Sequence, residues 1–304
     1  MSVSEFINWA NGIRYDYRAD QLYWDFYDCV MQGKEYRDHD LFNMIDEYTL
    51  NDPTKRFYKT IKNGTKLYRA RIIKSFDRRD YNDFDMNKEY VSGYNELNSR
   101  EAPLGKSSSG RNNIKGVSYL YVSKDESTAC VEVKSSPRDL ISLATFQTKT
   151  DLKVVDFAFE SDKKFKMDEV NKEELALGKL FTYIMKAYIN PVRYGEEENT
   201  YKITQIITEH IHKSGVDGIS YGSYYDRKGV NYTFFNSHIN FFDFVSSRML
   251  INQSQRVSFL DFENKNTFSV YSMNDTKYDV ESAYKMTNDI RNTIIKSSKY
   301  DDGI

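Results

Sequence analysis

Two cysteines, four prolines and no long apolar run show what this chain does without. Cys29 and Cys130 are too few and too far apart for a disulfide framework, and point to a reducing compartment. No Cys/His cluster has zinc spacing, and His210 and His212, two apart on a helix, fall on different sides and make a weak metal pair. No metal site is therefore expected. No apolar run reaches the roughly 18 residues of a bilayer span, and the N-terminus MSVSEFINWANGIRYDYRAD has no signal-peptide core. A cytoplasmic protein without a membrane partner is the expectation. The net charge of -2 gives no reason to expect nucleic acid as a partner either. The Walker-type phosphate loop and the G-x-G-x-x-G dinucleotide loop are both absent.

What is present is a globular composition, 39% hydrophobic and 29% charged, with a tyrosine excess that suits half-buried surfaces and ligand walls. Residues 1–60 read as a helical N-terminal module. ADQLYWDFYDCVMQGKEY places Leu22, Phe26 and Val30 at helical spacing, with Gly33 as a stop. DHDLFNMIDEYTLND is a second helix, ended by Pro53. Residues 61–255 form the main domain. KLYRARII, VSYLYVS, DLISLATFQT, LKVVDFAF, VDGISYGS, VNYTFFN and FFDFVSSRMLI are its strands. SKDE resembles a capping box, Ser123 to Glu126, opening a short helix through ESTACVEV. Two longer helices follow, KEELALGKLFTYIMKAYIN and TYKITQIITEHIHKSG. A long polar stretch over residues 81–113 reads as a functional or mobile loop. Residues 256–304 form a C-terminal extension without a motif. Short strands and helices in mixed order, without regular βαβ units, predict an α+β fold.

Four segments hold polar residues inside strand-like or tightly structured stretches. Arg69 and Arg71 share one face of a strand, with Tyr68 and Ala70 on the other. An inward arginine needs an anion, and phosphate fits the guanidinium fork. An edge strand with a solvated face is the plainer alternative. Arg111 follows Gly110 in a Ser/Gly/Asn run that offers backbone N–H groups to phosphate. Glu132 either lies with Ala129 and Val133 on the packed side of a helix, or faces water from a strand. A carboxylate at a packed edge pairs with a cation or is held for catalysis. Ser223 sits just past a strand end, in a Gly-flanked turn.

Taken together, KLYRAR, SSGRNNIKGVSYLYVSKDESTACVEV, YKITQIITEHIHKSGVDGISYGS and VNYTFFN resemble the RES domain, named for its Arg, Glu and Ser. The resemblance covers roughly residues 62–240 in the family's order. It places the family Arg on Arg69, the loop Arg on Arg111, the Glu on Glu132 and the Ser on Ser223. What it implies is a mainly antiparallel sheet core like that of ADP-ribosyltransferases, and consumption of NAD as a substrate, with no cofactor. The nicotinamide–ribose bond would be cleaved, and the ADP-ribosyl group passed to water or phosphate. Many such proteins are toxins with a cognate antitoxin that blocks the site. The residue chemistry agrees: Arg69 and Arg111 can hold the pyrophosphate, and Glu132 can stabilise an oxocarbenium-like ribose. Ser223 can hydrogen-bond that ribose or help hold Glu132, and Tyr68, Tyr121 or Tyr221 can stack on a ring. An ADP-ribosyltransferase acting on a protein or nucleic acid is the alternative. A RES-like binding module without catalysis is a second.

Overall fold

In the computed structural model the described residues are 17–50, 57–73, 93–137, 139–158, 172–191, 197–236, 241–252, 256–260 and 267–271. Pro53, positions 81–92 of the expected polar loop, and 272–304 of the extension lie outside them.

Helix α1, Tyr17–Met31, buries Phe26 and Val30 of the expected stripe, with Tyr23 buried beside them and Leu22 only half-buried against the core. Gly33 follows at a φ of 68°, a left-handed conformation that glycine adopts without a Cβ penalty. Helix α2 is shorter than expected: it spans Asp40–Ile45 and gives way to one π-helical turn, Asp46–Leu50. There the Thr49 hydroxyl donates to the Ile45 carbonyl at 2.6 Å and competes with the backbone for that acceptor. The remaining elements are β1 Tyr58–Ile61, β2 Lys66–Ile72, α3 Glu96–Ser99, β3 Leu120–Ser123, α4 Glu126–Glu132, β4 Leu140–Thr148 and β5 Leu152–Phe157. They continue with α5 Lys172–Ile189, α6 Glu197–Lys213, β6 Gly218–Gly222, β7 Val230–Phe234, β8 Phe242–Ile251, β9 Arg256–Leu260 and β10 Thr267–Tyr271. The α+β class is therefore as expected. All seven expected strands form, while β1, α3, β9 and β10 were not legible in the pattern.

Eight strands hydrogen-bond in the order β1-β5-β6-β7-β3-β2-β4-β8. β5 and β6 pair parallel; β1–β5, β6–β7, β3–β7 and β2–β3 pair antiparallel. The chain divides into two compact units.

The first unit comprises residues 1–69, 100–132 and 145–245. Its core joins Phe26, Leu41 and Ile45 of the N-terminal helices to Leu180, Ile184 and Tyr188 of α5 and to Ile203, Ile207 and Ile211 of α6. Val155, Phe157, Ile219 and Tyr221 of the sheet complete it. The N-terminal helices thus share one core with α5 and α6. His210 ties them further, 2.7 Å from Asp46 and stacked on Phe42, while His212 meets the Tyr119 hydroxyl at 3.1 Å. The two histidines do diverge, and each has a structural partner.

The second unit comprises residues 70–99, 133–144 and 246–304. Tyr94 organises it: its N–H donates to Ser142 Oγ at 2.8 Å, and its carbonyl accepts from Ser247 Oγ at 2.7 Å. The Arg71 guanidinium lies 5.3 Å from the Tyr94 ring centre and donates to the Asn98 carbonyl. β9 and β10 form an antiparallel pair. No helix among the described residues is long and apolar enough to cross a membrane.

Candidate functional site

The site is built where β3, β6 and β7 meet α4, all within the first unit. Glu132 is the last residue of α4, so the helix reading of that segment holds over the strand reading. Ala129 lies on the buried side as expected, and Glu132 is half-buried. The helix begins differently from the expectation. Ala129 N–H bonds to the Asp125 carbonyl at 3.1 Å, and Ser123 is still in β3. Instead of capping the helix, the Ser123 hydroxyl donates to Asn231 Oδ1 at 2.7 Å. Asn231 Nδ2 in turn donates to Glu132 Oε1 at 2.7 Å. A buried serine and a buried asparagine thus orient the carboxylate. Donation to an ionised acceptor is the stronger class of hydrogen bond.

Register explains why these residues meet. Tyr68 pairs with Ser123, Ser123 with Asn231, Asn231 with Tyr221, and Tyr221 with Phe157. Directly paired residues share a face, so one row across five strands carries Tyr68, Ser123, Asn231 and Tyr221. Tyr121, two residues before Ser123, is on that face too. The three tyrosines expected to contact a ring are therefore on one side. By the same alternation Arg69 points to the opposite side from Tyr68. Arg69 donates to the Arg100 carbonyl, within the same unit. The strand that carries Tyr68 into the row turns Arg69 away from it.

The Arg111 loop packs over the same face. Asn112 Nδ2 donates to Thr233 Oγ1 at 2.6 Å, and the Asn112 N–H donates to the Tyr121 hydroxyl at 3.0 Å. The Tyr121 hydroxyl donates to Asn113 Oδ1 at 2.6 Å. α6 clasps the loop from outside: Gln205 Nε2 donates to the carbonyls of Gly110 and Asn113 at 2.7 and 3.1 Å, and Thr204 Oγ1 to that of Arg111 at 2.5 Å. The Arg111 guanidinium donates to the carbonyls of Ala187 and Asn190, at 3.1 and 2.9 Å. These lie at the C-terminal end of α5, where carbonyls lack helical partners and the dipole favours a cation. Tyr201 stacks beneath it, 5.2 Å from the guanidinium carbon. Asn112 Oδ1 is buried without a hydrogen-bond partner.

Ser223 heads the turn between β6 and β7. Its Oγ accepts from the N–H groups of Tyr225 and Asp226, both at 3.1 Å, and its N–H donates to the Gly229 carbonyl at 2.9 Å. Both lone pairs of the hydroxyl are occupied, which leaves its proton to donate. Tyr224 and Tyr225 stand exposed on the turn, edge to face at 5.3 Å.

Electrostatics keep the tyrosines neutral. Burial pushes the Tyr221 phenol up to about 12; the Glu132 carboxylate adds to this, and hydrogen bonds from Thr233 and Asn112 with the Arg111 charge oppose it. Burial likewise holds Tyr121 well above the usual phenol range. The stretch Gly218–Gly222 spells G-x-S-x-G, the spacing of a hydrolase nucleophile elbow. Here it is a strand, and Ser220 is fully buried, donating to Asp156 Oδ1 at 2.6 Å. It is no exposed nucleophile.

Sequence reasoning gave no role at the site to Ser123, Asn231, Asn112, Thr204 or Gln205. Ser123 and Asn231 are polar residues inside otherwise apolar strands, Asn112 sits in a polar loop, and Thr204 and Gln205 lie in a helix of mixed polarity. Without a partner in view, such residues read as strand or helix filler.

The family model described as RES domain matches residues 91–259, more than half of the chain. That span contains Arg111, Tyr121, Glu132, Tyr221 and Ser223, whereas Tyr68 and Arg69 precede it. No curated protein matches the sequence. The crystal structure of the M. tuberculosis MbcT–MbcA toxin–antitoxin complex is similar over 71% of this chain and 94% of that one. The sequence identity is 15% and the TM-score 0.36. The family match over the segments that build the site makes the assignment: the chain belongs to the RES domain family.

Proposed function

We propose that this protein cleaves the nicotinamide–ribose bond of NAD, and that it acts as a toxin held in check by an antitoxin. The observation that carries the reading is the Ser123–Asn231–Glu132 relay, which orients one half-buried carboxylate at the end of α4. In the reaction the C1′–N bond breaks and its electron pair leaves with nicotinamide. C1′ becomes cationic, and water or phosphate then adds to it and loses a proton. Glu132 stabilises the cation, because a preorganised carboxylate in a half-buried site acts most strongly where charge develops. The Ser223 proton is left to bond a ribose oxygen. Arg111 lies close enough to influence Tyr121 and Tyr221 and is the candidate for the pyrophosphate on this face, since the alternation of β2 turns Arg69 to the other. The buried Asn112 acceptor suits a ligand N–H or O–H.

Incubation of the protein with NAD, with and without phosphate, tests this by following nicotinamide and the ribosyl product. ADP-ribose means a glycohydrolase, and a phosphate-dependent product means a phosphorylase. Glu132→Gln is expected to abolish nicotinamide release with the fold intact; full turnover in that variant sinks the assignment. One observation favours transfer to a macromolecule as a second reading. Exposed Tyr224, Tyr225, Arg227 and Lys228 beside Ser223 offer aromatic and cationic groups to an acceptor. Labelled ADP-ribose on a protein or nucleic acid, with no free product, would establish it. Loss of NAD in cells on expression tests the toxin role.

A further inference from the structure

Helix α4 carries Thr128 and Glu132 four residues apart, and hence on one face. Strand β7 and its approach carry Gly229 and Asn231 two apart, and hence on one side. Four helical residues rise about 6 Å, and two extended residues about 6.8 Å. The two spacings match, and both positions are occupied. At the far end Asn231 donates to Glu132. At the near end Thr128, fully buried, donates through Oγ1 to Asp226 Oδ2 at 2.7 Å.

The contact at Thr128 is too close for any side chain on the strand. A Cβ on Gly229 would lie 2.6 Å from Thr128 Cγ2 and 2.7 Å from Thr128 Oγ1. Asp226 belongs to the Ser223 turn. Its backbone N–H donates to Ser223 Oγ, its Oδ1 accepts from Lys228 N–H at 3.1 Å, and its carbonyl accepts from Gly229 N–H at 2.9 Å. One carboxylate therefore joins the turn that holds Ser223 to the helix that ends in Glu132.

We infer that Thr128 and Asp226 form a positioning clamp, seated on Gly229, that sets Glu132 and Ser223 in one fixed geometry. Neither residue is placed to touch substrate; they act through the two that are. The inference rests on the NAD-cleaving reading for its kinetic consequence, but the clamp itself is a structural claim with its own readout.

Thr128→Val keeps the shape and deletes the hydroxyl. It is expected to lower kcat for nicotinamide release by about tenfold or more while KM for NAD stays within about threefold, because misplacement costs the transition state more than ground-state binding. Thr128→Ser, which restores the hydroxyl, should return kcat to within about twofold of wild type. Asp226→Ala should show the same split. A Thr128→Val enzyme with unchanged kcat overturns the proposal, and so does failure of serine to rescue. Amide hydrogen exchange provides the second readout, whatever the chemistry proves to be. Thr128→Val should speed exchange in the 224–229 turn and in the last turn of α4 together. Faster exchange in one alone means that the two are not coupled, and also overturns the clamp. A wild type that releases no nicotinamide, with coupled exchange intact, would refute the activity and leave the clamp standing.

Discussion

Asn231→Ala is the perturbation that most directly tests the site. Asn231 is 6% exposed, and it both accepts from Ser123 and donates to Glu132, each at 2.7 Å. Removing it costs a hydrogen bond to a charged group, about 1.5–3 kcal/mol, and leaves the buried Ser123 hydroxyl without its acceptor, about 1–3 kcal/mol more. A total of roughly 2.5–6 kcal/mol corresponds to a fall in Tm on the order of 10 °C for a domain of this size. The assay is thermal unfolding by circular dichroism of four proteins: wild type, Asn231→Ala, Glu132→Ala and the double variant. If the relay holds the carboxylate, the cycle shows coupling of about 1–2 kcal/mol, since residues in one network are not additive. Nicotinamide release should collapse in Asn231→Ala beyond what lost stability explains, because the carboxylate is no longer aimed. Additivity within about 0.5 kcal/mol, together with wild-type turnover in Asn231→Ala, would refute the reasoning.

Gln205→Ala should loosen the Arg111 loop, which Gln205 holds through two backbone carbonyls. Faster amide exchange over 109–114 with a weaker NAD titration is expected, and unchanged exchange would show that the clasp is not needed. Arg111→Ala should weaken NAD binding in a calorimetric titration; unchanged affinity moves the pyrophosphate site away from the Arg111 loop. Burial raises the folded pKa of Tyr221 to about 12 from 10.0, and Tyr119 and Tyr23 shift likewise. Their contribution to stability is complete below pH 10 and is lost as pH rises from 10 through about 12, where only the unfolded chain ionises. Denaturation in urea between pH 9 and about 12 should show that decline, and Tyr221→Phe should lessen it; a flat profile would contradict the burial of these phenols.

Much of the fold was legible because its signals are local. The 3.6-residue spacing of Phe26 and Val30 and the stop at Gly33 mark α1, and the apolar alternation of LKVVDF marks β5. The short β1, YKTI, gave too few residues to show a period, and α3 is a single turn. At the site, Glu132 and Ser223 stood out as polar residues at structured edges. Ser123 was noticed for the wrong reason. Its spacing to Glu126 looks like a capping box, yet Asn231, 108 residues away, takes the hydroxyl.

From its sequence alone the protein already has the order of its longer helices and of seven strands, its α+β class and the short motifs that match the family. Each of these depends on neighbours within a turn or a strand. Partners across the chain were settled only by tertiary structure. Asn231 reaches Glu132 over 99 positions, Thr128 reaches Asp226 over 98, and the Arg111 guanidinium finds the end of α5 over 76 and 79. Periodicity tells which face a side chain takes, and sheet register decides what stands opposite. That is why Tyr68 joins the row of Ser123, Asn231 and Tyr221 while Arg69, one residue on, turns to the other side.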